Sequence, residues 1–235
     1  MIQIQRLDWD TKFFGYTTGK LVLTNNSFFN SNEIDIDDYE LVYIFSEQAL
    51  EESDCMQLGA TLLDVKVELI KPVKNNVIPL ENVNHLSIKI MRNLSNDLLH
   101  LVLESGKYSR FKLDKHFVNN EFEKLYKVWI EKALNGMHEQ VLGAYIDNIL
   151  VGFVSIKNQV NDTVIDLIAV HQNWQGRHIG KKILEVVNSY AIQNNCAHVK
   201  VVTQENNLQA MHFYQHNDFE IHKKNYIYHL WKKTS

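Results

Sequence analysis

Residues 163–184 read Thr163-Val164-Ile165-Asp166-Leu167-Ile168-Ala169-Val170-His171-Gln172-Asn173-Trp174-Gln175-Gly176-Arg177-His178-Ile179-Gly180-Lys181-Lys182-Ile183-Leu184. Thr163–Val170 is a short apolar run rich in β-branched residues, the mark of a strand. Ile183, Leu184, Val187, Tyr190 and Ala191 then share one side of a helix. Between the two lies the glycine-bearing loop Gln175–Gly180. A strand running through such a loop into a helix N-terminus suits an anion, because free N–H groups converge there and the helix dipole adds partial positive charge. A diphosphate fits over Gly176–Gly180, with Lys181 and Lys182 adding cationic reach. The loop has neither the Walker lysine pattern nor the dinucleotide glycine pattern, so neither an NTPase nor a Rossmann enzyme fits. Taken alone, the loop is more simply an ordinary strand-to-helix turn with a glycine in it.

The flanking sequence sets this unit in a mixed α/β order. Phe122, Leu125, Tyr126, Trp129, Ile130 and Ala133 follow helical spacing, and Asn135-Gly136 ends that helix with two residues that tolerate a left-handed backbone. Gln140–Ile146 and Ile149–Lys157 read as strands joined by a tight turn at Asp147-Asn148. Ile88–Met91 and Val199–Thr203 add strands, and a short helix runs from Asn207 to about Gln215. Phe219–His222 and Tyr226–Trp231 close the chain as two strands around Lys223-Lys224-Asn225. Upstream, Leu41–Phe45 is a buried strand, Ser46 is placed to cap a helix starting near Glu47, and Leu62–Ile70 alternates as a half-buried strand. Lys71-Pro72-Val73-Lys74-Asn75-Asn76-Val77-Ile78-Pro79 holds both prolines of the chain and is its best linker. It puts a domain boundary near residue 80: a smaller N-terminal α/β domain over 1–80, and a second domain over 81–235.

Composition narrows the function. The 235 residues are 45% hydrophobic and 22% charged, with a net charge of -4, which argues against a broad nucleic-acid-binding surface. No apolar run reaches the ~18 residues of a membrane span, and the first residues carry no signal-peptide pattern. Cys55 and Cys196 lack metal or redox spacing, as expected of free thiols in a reducing compartment. A cytoplasmic protein without a metal follows as the expectation.

Residues 137–231 resemble the GNAT superfamily of acyl-CoA-dependent N-acetyltransferases. The phosphate loop of that family reads Gln/Arg-x-x-Gly-x-Gly/Ala; here Gln175 and Gly180 match, and His178 replaces the middle glycine. The second family pattern is Asn-x-x-Ala-x-x-Phe-Tyr-x-x-x-Gly-Phe. Asn207, Ala210, Phe213, Tyr214 and Phe219 match it, with Asp218 in place of glycine. His and Asp are among the few non-glycine residues enriched at positive φ, so the backbone path is expected to survive both changes. Leu7-Asp8-Trp9-Asp10-x-x-Phe13-Phe14-Gly15, Ser109-Arg110-Phe111 and the stretch Leu125–Gly136 are similar to the dTDP-fucosamine acetyltransferases, which acetylate the amine of a nucleotide-linked 4-amino-4,6-dideoxy sugar for surface polysaccharide.

The resemblance implies an α/β fold of the α+β kind, a mixed central sheet flanked by helices, with acetyl-CoA as cosubstrate. It implies a cofactor site built from Leu167, Ile168, Ala169, Val170, Gln175, Gly176, Arg177, His178, Ile179, Gly180, Lys181, Asn207 and Tyr214. The strand before the loop is expected to splay from its neighbour and offer free amides to the pantetheine, with Ala169 and Val170 nearest the thioester. Tyr214 becomes the general acid: a tyrosine near ~10 is still protonated when a thiolate near ~8.5 departs. Asn207 reads both as an N-cap and as a pantetheine ligand. Glu68 and His171 are of the right type for a general base, with a water chain as the alternative. Arg110, near Lys107 and Lys112, is of the type that binds a diphosphate, since arginine grips phosphate oxygens bidentately. Trp9, Phe13 and Phe14 read either as a wall for the acceptor or as core. The expected partner is a small-molecule nucleotide sugar, with a homodimer as an option and neither nucleic acid nor membrane. Two alternatives stay open: another acceptor (polyamine, aminoglycoside or protein amine), and a non-catalytic acyl-CoA-sensing domain.

Overall fold

The computed structural model describes residues 3–23, 34–74, 85–136 and 139–232. The chain forms two compact units: Met1–Val67 with Gln204–Asn206 and Lys223–Ser235, and Glu68–Thr203 with Asn207–His222. The division falls between Val67 and Glu68, inside a strand, rather than near residue 80, and the C-terminal segment joins the first unit. A composition signal marks the linker, but it cannot register that the last residues of the chain pair with a strand beginning at Leu41. Part of that linker, with residues 75–84, lies outside the described residues.

In chain order the first unit contains β1 (Gln5–Arg6), α1 (Asp8–Phe14), β2 (Thr18–Leu23), β3 (Leu41–Ser46), α2 (Glu52–Leu58) and the first part of β4 (Ala60–Pro72). β1 runs antiparallel to β2, and β2 runs parallel to β3. The C-terminal strand pairs antiparallel with β3, from Leu41↔Trp231 to Ser46↔Tyr226. Leu21, Leu23, Val42, Ile44, Tyr228 and Leu230 form the core, and the Tyr228 hydroxyl accepts a hydrogen bond from Leu50 N at 2.9 Å. The aromatic cluster of the N-terminus turns out to be α1, closed by Gly15 at φ 84. Trp9 stacks on Phe13 at 4.9 Å and is half exposed, so these rings are not core. Ser46 caps no helix: β3 runs through it, and its hydroxyl donates to Gln48 O in a turn before α2.

The second unit carries β5 (Leu86–Met91), α3 (Asn96–Ser105), α4 (Arg110–Leu113), α5 (Glu121–Asn135), β6 (Glu139–Ile146), β7 (Ile149–Gln159), β8 (Asp162–Val170), α6 (Ile179–Gln193), β9 (His198–Gln204) and α7 (Leu208–Gln215). Its strands lie in the order β9-β8-β7-β6-β5, and α6 crosses over between the parallel strands β8 and β9. α3 packs on β7 and β8, α5 on β6, and α6 on β7 and β8, so helices flank the sheet. The turn between β6 and β7 has Asp147 at φ 49 and Asn148 at φ 65, the pair of positive values that a tight hairpin needs. α5 spans the expected residues, but Gly136 ends it in an extended rather than left-handed conformation. The segment 220–231 is one strand, β10 (Glu220–Trp231), and not two. Lys223 and Lys224 stay in it because each finds a carboxylate, Glu47 and Glu205 respectively.

The pairing of β8 with β9 covers Asp162↔His198 through Ile165↔Val201 and stops there. At the same point β8 bulges against β7: Ile165 faces Ile156 and Leu167 faces Ser155, which leaves Asp166 as the extra residue. A bulge bends its strand, so the remaining length of β8 parts from β9. Asp162 anchors the paired half, with its carboxylate 2.7 Å from Lys200 and 3.0 Å from His198. Burial pushes this carboxyl up, but the bonds from Lys200 and His198 outweigh it and hold it below the usual range. A depressed carboxyl stabilises the fold above its unfolded value and loses that contribution as the pH falls through its folded value. Asp162→Ala should therefore lower stability by roughly 1.5–3 kcal/mol at pH 7. The gap to the parent protein should narrow below pH ~3.9 in urea titrations; a gap constant with pH would refute the anchor.

Candidate active site

The freed end of β8, the loop after it and the start of α7 enclose a cleft of about 590 Å³, lined throughout by residues of the second unit. Ile168, Ala169 and Val170 line it from β8, on the edge that β9 no longer covers. A 3₁₀ turn at Gln172–Trp174 follows, capped by His171, whose Nδ1 accepts the Asn173 N–H at 3.3 Å. The loop then takes two left-handed residues, Gly176 at φ 75 and His178 at φ 60. The expected tolerance of His178 is met, and so is that of Asp218 at φ 65, whose carboxylate also pairs with Lys74 at 2.9 Å. The first backbone bond of α6 runs from Lys182 N to His178 O, so the amides of Ile179, Gly180 and Lys181 lack intrahelical partners where these residues line the cleft.

The two halves of the site interlock. A Cβ on Gly180 would come within 3.0 Å of the Phe213 ring, so the α6 N-terminus approaches α7 as closely as a glycine permits. Gln209 Nε2 donates to Gln175 Oε1 at 2.8 Å, and Gln175 Nε2 donates to Val170 O at 2.9 Å. Asn207 is an N-cap, its side chain accepting from Ala210 N at 3.2 Å, and it lines the cleft as well. Tyr214 borders the cleft with the residue 3% exposed, and burial pushes its phenol well above the usual value. Its hydroxyl takes no protein partner among the described residues, which leaves it available to a ligand.

Several residues singled out from sequence lie elsewhere. Leu167 and Arg177 do not line the cleft; Leu167 is paired with Ser155, and the Arg177 guanidinium stacks 4.7 Å over Trp174. Lys182 is buried and bonded to Glu185 at 3.0 Å, so of the two loop lysines Lys181 alone borders the cleft. Arg110 starts α4 and is buried against the Phe111 ring rather than standing on an open basic loop; Lys112 pairs with Glu123, and Lys107 borders the cleft. Glu68 sits 3.8 Å from His222 and outside the cleft lining. Phe14 belongs to α1 of the first unit, stacked on Tyr16 at 5.5 Å. The reading from sequence missed α3, which supplies His100, Leu101, Glu104 and Ser105 to the cleft. The signal was present: Ser95 caps the helix through Leu98 N, and Leu98, Leu101 and Val102 form its buried stripe.

The double position of Asn207 gives a measurable distinction. Loss of the cap in Asn207→Ala should cost about 1 kcal/mol of stability. If the side chain also holds ligand, acetyl-CoA affinity measured well below the melting temperature should fall as well. Unchanged affinity in the folded variant would leave Asn207 as a cap alone.

Residues 107–219 match the acetyltransferase (GNAT) family. The spore coat polysaccharide biosynthesis protein SpsD of Bacillus subtilis (strain 168) is 22% identical over 134 residues, which cover 57% of this chain and 46% of that protein. The chain thus spans less than half the length of this curated relative. Among solved structures, a functionally unknown conserved protein from Staphylococcus epidermidis superposes with a TM-score of 0.60 at 14% identity, over 83% of this chain and 74% of the other. A tandem GNAT protein from the clavulanic acid biosynthesis pathway gives 0.57 at 14% identity, over 84% and 66%. These likenesses are to the fold, and the stretch that bears β8, the loop after it, α6 and α7 lies within the residues that match the acetyltransferase (GNAT) family.

Proposed function

We propose that this chain acetylates the amine of a nucleotide-linked 4-amino-4,6-dideoxy sugar, with acetyl-CoA as donor, for the synthesis of a surface polysaccharide. The observation that carries the transfer is the convergence in one cleft of three things: the uncovered end of β8, the free amides of Ile179–Lys181, and Tyr214. The sugar-nucleotide acceptor is supported by the N-terminal and Ser109–Phe111 resemblances and by the polysaccharide role in the name of the Bacillus relative.

The residues present suit a diphosphate-bearing cosubstrate. The amides at the start of α6 and the Lys181 side chain hold the diphosphate. The free edge of β8 at Ile168–Val170 holds an extended amide-bearing arm by strand-like pairing, which fixes the thioester beside the amine; positioning of this kind is the larger part of the chemistry. Backbone N–H groups there also stabilise the oxyanion as it develops. Acetyl-CoA supplies the activated acyl group. Tyr214 keeps its proton because burial disfavours the phenolate, and it holds that proton ready for the departing sulfur. Direct attack by the neutral amine needs no acyl-enzyme. His171 is poorly placed as a base because its Nδ1 already accepts a backbone bond, which leaves water as the carrier of the amine proton.

Two measurements test this reading. Tyr214→Phe keeps the ring, so acetyl-CoA should bind as before while single-turnover acetylation slows by about 10²-fold, the low end for general acid catalysis. An unchanged rate in the folded variant would return Tyr214 to a packing role. A panel of acceptors should show higher kcat/KM for a dTDP-linked amino sugar than for the free amino sugar, because remote nucleotide contacts orient the amine. Equal efficiency for the two forms, or preference for a polyamine, aminoglycoside or protein amine, would overturn the acceptor.

A further inference from the structure

One wall of the cleft is left unused by the cosubstrate. α3 brings His100, Leu101, Glu104 and Ser105 to it, two pairs of residues each four apart, which a helix stacks on one side. His100 fixes where that side lies, because its ring stands 6.0 Å from that of His171, the first residue after β8. Glu104 comes one helical turn further along α3. Among the described residues bordering the cleft it is the sole carboxylate, and Lys107 and Lys181 are the only lysines.

The Glu104 carboxylate is open to a ligand. Its side chain is about half exposed, and Lys107 Nζ stands 3.8 Å from Oε2, beyond the length of a charge-assisted hydrogen bond, about 2.7–2.9 Å. An exposed pair at that distance holds neither side chain firmly. A carboxylate has two oxygens that accept several bonds, so it can take a further donor with Lys107 still nearby. The helix adds to its field: α3 ends at Ser105, one residue past Glu104, and the last turn of a helix carries partial negative charge. This part of the cleft therefore favours a cation.

We propose that Glu104 recognises the acceptor as a primary ammonium, and so sets the choice of an amine over a hydroxyl in this cleft. The inference rests on the amine-acetylating function proposed above and deepens it by naming the residue that reads the group to be acetylated. An aliphatic amine arrives largely as its ammonium near neutral pH. It offers three donors and a positive charge, which a carboxylate meets with a charge-assisted bond; the hydroxyl of an otherwise identical sugar offers one donor and no charge. The charges of the cleft are then divided between its elements. The free amides at the start of α6 and Lys181 suit an anion, and Glu104 at the end of α3 suits a cation. The ammonium gives up its proton to water before it attacks, so the contact with Glu104 belongs to the bound ground state, and its loss falls mainly on KM.

The test is calorimetry of the full chain, saturated with CoA, against a dTDP-linked 4-amino-4,6-dideoxy sugar and its 4-hydroxy counterpart. The parent protein should bind the amino form about tenfold more tightly, the low end for a hydrogen bond to a charged group. Glu104→Gln keeps the size of the side chain and removes its charge. It should bind the two forms alike, with the amino form about tenfold weaker than in the parent and the hydroxy form as before. Glu104→Asp keeps the charge on a shorter arm and should recover part of the preference. In steady-state turnover the loss should lie mainly in KM for the acceptor rather than in kcat, with acetyl-CoA affinity retained as the sign of an intact fold. A Glu104→Gln protein that binds acetyl-CoA normally and prefers the amino form as strongly as the parent would overturn the inference. Equal weakening of both sugar forms would do the same, since it marks a merely structural role. If the parent acetylates no amino sugar, linked or free, the sugar acceptor falls; the same comparison on the amine that the acceptor panel selects, against its hydroxyl counterpart, then decides the role of Glu104.

Discussion

The parting of β8 from β9 is the constraint on which the site depends. The two strands pair for four residues and then separate where Asp166 is inserted as a bulge. Had they stayed paired, the edge of Ile168–Val170 would be covered by its neighbour and no amide could reach an extended ligand. The strand is nonetheless held on both sides of the bulge. Asp162 ties its start to Lys200 and His198, and beyond the bulge Leu167–Val170 remain paired with β7. The opening is thus a local departure in the sheet, and the cost of the uncovered backbone edge is confined to a few residues facing the cleft.

A second constraint fixes the far wall. Gly180 and Phe213 meet at a distance that leaves no space for a side chain on the glycine, and Gln175 bridges the end of β8 to Gln209. The loop and α7, more than thirty residues apart in sequence, therefore hold one another's position. The glycine at 180 answers to packing, whereas the glycine at 176 answers to backbone conformation, having positive φ and open space around it. His178 and Asp218 show that a left-handed position in this fold does not require glycine. Each keeps the turn that a glycine would make and adds a side chain with its own chemistry.

What could be read in advance was local. The strand-loop-helix unit, the helix at Glu121–Asn135, the hairpin at Asp147-Asn148 and the two left-handed positions follow from patterns a few residues long. So does Asn207 at a helix start. What could not be read depends on partners distant in sequence. The Lys223-Lys224-Asn225 run looked like a turn because charged residues break apolar strands, yet carboxylates from elsewhere keep it extended. Lys182 and Arg110 looked like free cations, and each is buried against a specific neighbour. The division of the chain at Val67 rather than near residue 80 has the same origin, since the pairing of β10 with β3 joins residues almost two hundred apart. The helix α3 is the exception, for its cap and apolar stripe were legible and simply brief.

The burial of Tyr214 reaches beyond the proton it holds. An unfolded chain exposes that phenol, which then ionises near pH ~10, while the folded chain keeps it neutral to a higher pH. A group raised in this way stabilises the fold fully below its unfolded value and withdraws that support as the pH climbs past it. The wall of the cleft is therefore a built-in point of alkaline weakness. In strong base the fold should lose that support, and a bound ligand, by shielding that ring further, should raise the pH at which it does so.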